Sequence, residues 1–232
     1  MPVIALVGNK GGAGKTTLSI NLAAGLAKQA RVVVVDADPQ GSAIQWNVFT
    51  GASMPMTVLE ANDNLGDNLG DNLGDNLGDN MGDNLGDELS NQLTELSQQY
   101  DYVVVDCPPS VHASQTTRVL EICDLALIPV QPSPVDLWAT VHTEKAIQHA
   151  RESNTGLRAV LVINQLETRT TLSRLVRDAL SEIGLPVANT ALHRRAIFRN
   201  SALEGRNVFE MGRRGIDAAR EIDELIHEVI KI

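Results

Sequence analysis

Apolar residues gather along this chain in short, unbroken runs separated by stretches of helical period. Val3 to Val7, Val32 to Val35, Val103 to Val105 and Leu125 to Val130 contain no polar residue. Such runs lack the alternation of a sheet with one wet face, so they predict strands of a parallel sheet covered on both sides. Period and turn signals together place strands near 2–8, 31–36, 101–107, 124–130, 157–164 and 186–190. Helices are expected over 15–29, 41–49, 88–99, 113–121, 136–152, 170–183, 194–203 and 214–231. This alternation predicts an α/β fold, a mostly parallel doubly wound sheet with helices on both faces, whose ligands bind at the carboxyl ends of the strands. The 232 residues, 43% of them hydrophobic, suffice for a single domain spanning 1–232.

One segment breaks the pattern. Asp63-Asn64-Leu65-Gly66 recurs six times through Gly86, with Met81 replacing leucine once. A four-residue period drifts about 40° per repeat around an α-helix, a glycine costs ~1 kcal/mol relative to alanine, and Asp and Asn favour turns. The segment at 63–86 therefore reads as a flexible acidic insertion; the alternative is a marginal helix running into Leu89, Leu93 and Leu96. Its Asp and Asn spacing does not fit an EF-hand loop.

The chemistry concentrates in Lys10-Gly11-Gly12-Ala13-Gly14-Lys15-Thr16-Thr17, between the first apolar run and a helical pattern with Leu18, Leu22 and Leu26 on one face. Glycines let backbone N–H groups turn inward around phosphate oxygens, and the helix N-terminus adds a favourable dipole. Lys15 can reach the β and γ phosphates and Thr16 can hold Mg²⁺ through its hydroxyl, so ATP with Mg²⁺ is the expected occupant. Asn9 stands where the ordinary pattern has its first glycine, and Lys10 adds a second cation. From its own loop Lys10 is poorly placed to contact phosphates that Lys15 holds, and it reads as a charge offered to a nucleotide in a facing subunit.

With these residues the chain resembles the deviant Walker A ATPases, the family that includes ParA, MinD and the nitrogenase iron protein. Asp36-Ala37-Asp38-Pro39-Gln40-Gly41 resembles the family's switch I, and Asp106-Cys107-Pro108-Pro109 its Walker B with switch II. The stretches Pro129 to Asp136 and Leu203 to Glu210 are most similar to the small, ParF-like ParA proteins. The resemblance implies a P-loop NTPase with ATP hydrolase activity that is weak without a partner. It places Gly11, Gly12, Ala13, Gly14, Lys15, Thr16 and Thr17 around the nucleotide, Thr17 near the α phosphate. It makes Lys10, Lys15 and Asp38 catalytic, with Asp38 positioning or deprotonating the attacking water. Thr16, Asp36 and Asp106 are the implied metal set, although an aspartate at a strand end also caps helices and Asp36 reads equally well that way. Asn164 corresponds to an asparagine near adenine in relatives, with an ordinary turn residue as the alternative; Asp136 reads as a helix cap.

The net charge of −10 conceals a segregation. Residues 1–150 carry 6 bases against 18 acids, whereas residues 151–220 carry 12 bases, all arginine, against 7 acids. Clustered arginines attract DNA phosphates without reading sequence. Arg194, Arg195, Arg199, Arg213 and Arg214 are the candidates, with surface salt bridges as the competing reading for about half of them. The resemblance thus implies an ATP-dependent homodimer that binds non-specific double-stranded DNA, is stimulated by a ParB- or ParG-like centromere-binding or adaptor protein, and serves plasmid or chromosome partition or the positioning of another cargo. A MinD-like membrane-surface ATPase is the alternative, disfavoured because residues 221–232 hold four acids and one lysine. No apolar stretch reaches 18 residues and the apolar start is too short for a signal peptide, so a cytoplasmic, nucleoid-associated location is expected. Cys107 directly follows Asp106, whereas cluster-bridging relatives place the switch cysteine further on; Cys107 and Cys123 are expected to be buried thiols.

Overall fold

A computed structural model describes residues 2–49, 54–61, 81–167 and 171–230. Six strands, β1 (Val3–Leu6), β2 (Val32–Asp36), β3 (Thr57–Glu60), β4 (Tyr102–Asp106), β5 (Leu125–Val130) and β6 (Arg158–Ile163), form one sheet in the order β3-β2-β4-β1-β5-β6. Every pairing is parallel. The helices are α1 (Lys15–Leu26), α2 (Ser42–Phe49), α3 (Met81–Gln99), α4 (Ser114–Ile122), α5 (Pro134–Ser153), α6 (Thr171–Ser181), α7 (Ala196–Leu203) and α8 (Ile216–Ile230), with a 3-10 turn at Val208–Arg214.

The two-residue period of each strand splits its apolar run between two cores. Val3, Ala5, Val103 and Val105 join Leu89, Leu93, Leu120, Ile147 and Leu180 on one face. Ile4, Leu6, Val34 and Val104 join Leu18, Leu22, Trp46, Ile222 and Leu225 on the other. This double burial is why the strands carry no polar positions. Parallel register brings Leu6, Asp36 and Asp106 to one level, so the loops after β1, β2 and β4 open at the same edge.

Four details differ from the sequence expectation. β3 was not anticipated, because it is an edge strand whose two ends are exposed and only Val58 and Leu59 are apolar. Residues 186–190 form only an isolated bridge between Leu161 and Val187. The 3-10 turn lies in a stretch that showed no helical period. The helix expected from 88 begins at Met81, so the end of the tetrapeptide repeat is helical backbone. The leucine spacing of four continues into Leu89 and Leu93, both buried, and that packing extends the helix despite its glycines. The remainder of the proposed insertion, 63–80, lies outside the described residues.

Candidate nucleotide site

The loop joining β1 to α1 is built so that its backbone curls. Gly12 and Gly14 have φ of 80° and 93°, left-handed values that favour glycine. A Cβ on Gly14 would lie 2.4 Å from Asn164 Nδ2, so that position also requires the close approach that only glycine permits. Three amides brace the curl from outside. Asn164 Nδ2 donates to the Ala13 carbonyl at 2.7 Å, and Gln131 Nε2 and Gln165 Nε2 donate to the Gly12 carbonyl at 2.6 and 3.4 Å. With these carbonyls held outward, the N–H groups of Gly11 to Lys15 are free to face an anion.

Lys15 opens α1 and is buried, 7% exposed, with Nζ donating to the Lys10 carbonyl at 3.2 Å. Burial pulls its pKa below the usual lysine value, while Asp106, Cys107 and Asp38 pull it back up. Asp106, at the end of β4, is fully buried. The Ser19 hydroxyl lies 3.0 Å from its Oδ1, and Oδ2 has no hydrogen-bond partner. Burial pushes the Asp106 pKa up to about 7, with the nearby Asp36 adding to the rise and Thr16, Ser19 and Lys15 opposing it. An orphaned carboxylate oxygen beside a threonine hydroxyl is a poor resting place for a charge and a good one for a divalent cation. Mg²⁺ keeps most of its waters and needs only one or two protein oxygens beside phosphate, so Thr16 and Asp106 fit it.

Asp36 is engaged with backbone N–H groups. Its Oδ2 accepts from the backbone N–H groups of Ala43 and Ile44 at 2.8 and 3.0 Å, and its Oδ1 from that of Asp38 at 3.2 Å. Asp36 therefore caps the start of α2, which is the helix-cap reading of this residue. Asp38 begins the turn to Gly41, its Oδ1 accepting from Gln40 N at 3.0 Å, and it remains partly exposed at the edge of the site.

Lys10 is engaged within its own chain: Nζ contacts Asp136 Oδ2 at 2.8 Å. Asp136 is only 4% exposed and lies in the first turn of α5, where its N–H donates to the Ser133 N-cap and its carboxylate also receives the Ser133 hydroxyl. The cap is thus Ser133 rather than Asp136, which lies in the first turn of the helix and is the partner of Lys10 as well.

Past Thr17 the site widens into a cavity of about 430 Å³ between α1, the end of β6 and α7, walled by Leu18, Leu192, Phe198 and Ile222. Asn164 lies at its rim, but its amide holds the loop. Arg194, Arg195 and Arg199 also line this cavity, and Arg194 and Arg199 are exposed, as are Arg213 and Arg214. Arg194 pairs with Glu167 at 2.6 Å, Arg195 with the buried Glu221 at 2.6 Å, and Arg214 with Glu204 at 3.2 Å. Among the described residues, Arg199 and Arg213 have no ion-pair partner. Glu221 also accepts from His193 N and contacts His193 Nδ1 at 2.8 Å. Although burial works against it, these contacts hold the Glu221 pKa below the ordinary value.

Sequence reasoning missed Ser19, Gln131 and Glu221. Ser19 carried a usable signal, one helical turn beyond Lys15. Glu221 carried none, since only the packing of α8 against the loop after β6 brings it to Arg195. Cys107 and Cys123 are both buried free thiols. Among the described residues no cluster of three His, Cys, Asp or Glu could hold a metal, and no helix is long and apolar enough to cross a membrane.

The family described as "CobQ/CobB/MinD/ParA nucleotide binding domain" matches residues 4–208. Maintenance of carboxysome distribution protein A of Halothiobacillus neapolitanus is 38% identical over 231 residues, covering 98% of this chain and 95% of that protein. The protein of the same name from Gloeobacter kilaueensis is 29% identical, covering 90% and 84%. A solved ATP complex of a Cyanothece McdA variant superposes with a TM-score of 0.78 at 17% identity, covering 99% of this chain and 96% of that one, a likeness of fold.

Proposed function

The chain is a member of the CobQ/CobB/MinD/ParA nucleotide-binding family, and from that premise we propose that it is a ParA-type positioning ATPase. It dimerises on ATP, binds double-stranded DNA without sequence preference, and hydrolyses ATP to ADP and phosphate when an adaptor protein stimulates it. Its cargo on this reading is a large protein assembly of the kind named for the Halothiobacillus relative rather than a plasmid. The observation that carries the proposal is the two-lysine loop set against the orphaned oxygen of Asp106.

Each residue has a task that its surroundings support. Backbone N–H groups from Gly11 to Lys15 receive the phosphates, with Asn164, Gln131 and Gln165 fixing the loop from behind. Lys15, already desolvated, exchanges the Lys10 carbonyl for phosphate oxygen. Thr17 lines the cavity, which would take the rest of the nucleotide. Thr16 and Asp106 are the residues that would hold Mg²⁺, which supplies neutralisation of phosphate charge when bound. Asp38, at the site's edge, orients the attacking water and accepts its proton. Lys10 is the charge presented to the nucleotide of the facing subunit once it leaves Asp136.

Arg213 and Arg214, exposed on the 3-10 turn, are the DNA-facing pair on this reading, with Arg199 beside them in function and Arg194 and Arg195 serving the cavity wall. A membrane-surface role is poorly served. Ile222, Leu225 and Val229 of α8 are buried in the core, Ile216 at its start is a single exposed apolar side chain, and its outer side carries Asp217, Asp223, Glu224 and Glu228. Asp38→Ala tests the assignment. The variant should bind ATP, form a lasting dimer and stay on DNA with at least tenfold slower turnover. Co-sedimentation with anionic vesicles instead of DNA, or turnover equal to wild type, would refute the assignment.

A further inference from the structure

Helix α5 carries an apolar face that stays exposed among the described residues. Its inward positions, Asp136, Thr140, Thr143, Ile147 and Ala150, are buried. Its outward positions begin with Val135, Trp138 and Val141, which are 57%, 70% and 41% exposed. Further along, the outward positions become Lys145, Gln148 and His149. An outer helix face that only met water would be polar from end to end. Here the apolar part is confined to the first two turns, and it is a clustered patch centred on tryptophan, a residue type enriched at interfaces.

Those two turns are the part of α5 bolted to the nucleotide loop. Gln131, just before the helix, bonds the Gly12 carbonyl, and Asp136, between Val135 and Trp138 in sequence, holds Lys10. A body close enough for Lys10 to reach must therefore come down over the start of α5. We propose that the Val135–Trp138–Val141 face is a contact surface of the ATP dimer, its occupant a second copy of this chain; the inference rests on the ATP-dimer reading above. A two-fold interface is self-complementary, so the same stripe is presented by both copies around the axis that relates the two nucleotide loops. Trp138 is its aromatic anchor, and the polar continuation of α5 marks the rim.

The test compares wild type, Trp138→Ala and Ile216→Ser, the last removing a comparably exposed apolar side chain from α8. Dimer dissociation is measured by light scattering against concentration with ATPγS and Mg²⁺, and nucleotide affinity by calorimetry. Trp138→Ala should bind ATPγS like wild type yet dimerise roughly 30-fold more weakly, the loss typical of a buried aromatic anchor. Ile216→Ser should dimerise normally. A Trp138→Ala dimer of wild-type strength, or equal weakening in both variants, would overturn the inference while leaving the dimer reading intact. A wild-type protein that stays monomeric with ATPγS would instead remove the dimer reading itself.

Discussion

Replacing Asp106 by asparagine probes whether its carboxyl group is a buried charge waiting for a cation. Without metal, burial pushes its pKa to about 7, against ~3.9 for an aspartate in the unfolded chain. The folded state thus binds this proton more tightly than the unfolded state. The stability this contributes is fully present below pH ~4 and is lost as pH rises through about 7. Linkage at ~1.4 kcal/mol per unit gives a loss of roughly 2.5 kcal/mol between pH 5 and pH 8. Asparagine keeps the shape and cannot titrate, so the variant should gain that amount on wild type across the same interval. For a chain of this length this is a relative Tm change of roughly 5–10 °C. Thermal unfolding of both proteins at pH 5 and pH 8, in chelator and without nucleotide, reads it directly, and subtraction cancels the other titrating groups. Adding Mg²⁺ and ATP at pH 8 should stabilise wild type far more than the variant. A stability difference that stays constant between the two pH values would show that Asp106 is already ionised and satisfied, and the argument for its orphaned oxygen would fall.

Gly14→Ala must adopt φ near 93° and displace Asn164 from the Ala13 carbonyl; it should lose about 2–3 kcal/mol of stability and most ATP affinity by calorimetry, whereas Gly11→Ala, whose added carbon meets no protein atom within 4 Å, should retain its stability. Glu221→Gln strips a buried partner from Arg195 and His193; denaturant unfolding should show a loss of about 2–3 kcal/mol, less than for a fully buried pair because Arg195 keeps 30% of its surface in water. Changing Arg213 and Arg214 together to glutamate should weaken binding to all duplexes alike and reduce the salt slope by about 0.9 per lost phosphate contact. An unchanged slope would place the DNA surface elsewhere.

Much of the nucleotide site was legible because its chemistry is local. A curled backbone needs glycine, a phosphate needs a lysine at fixed reach, and both requirements are written within eight consecutive residues. Asp106 was legible for a related reason: strand ends in a parallel sheet converge, so an aspartate closing an apolar run falls at the ligand edge. The ambiguity of Asp36 was real, since ligand and cap use the same carboxylate at the same place in the chain. The cap itself shows only in the N–H groups of Ala43 and Ile44, through a helix start that sequence cannot position to within a residue.

By itself, then, the sequence determined the parallel α/β order, the phosphate loop and the acidic repeat's departure from the pattern, all of which follow from periods and spacings along the chain. Tertiary structure alone decided which arginines are paired among the described residues, because ion pairs such as Arg194 with Glu167 and Arg195 with Glu221 join residues 27 and 26 positions apart. It alone tied Lys10 to Asp136, 126 residues away, and exposed Trp138 beside them. Charge and apolarity are properties of residues, but whether either is spent inside the chain or left for a partner depends on what folding brings within a few ångströms.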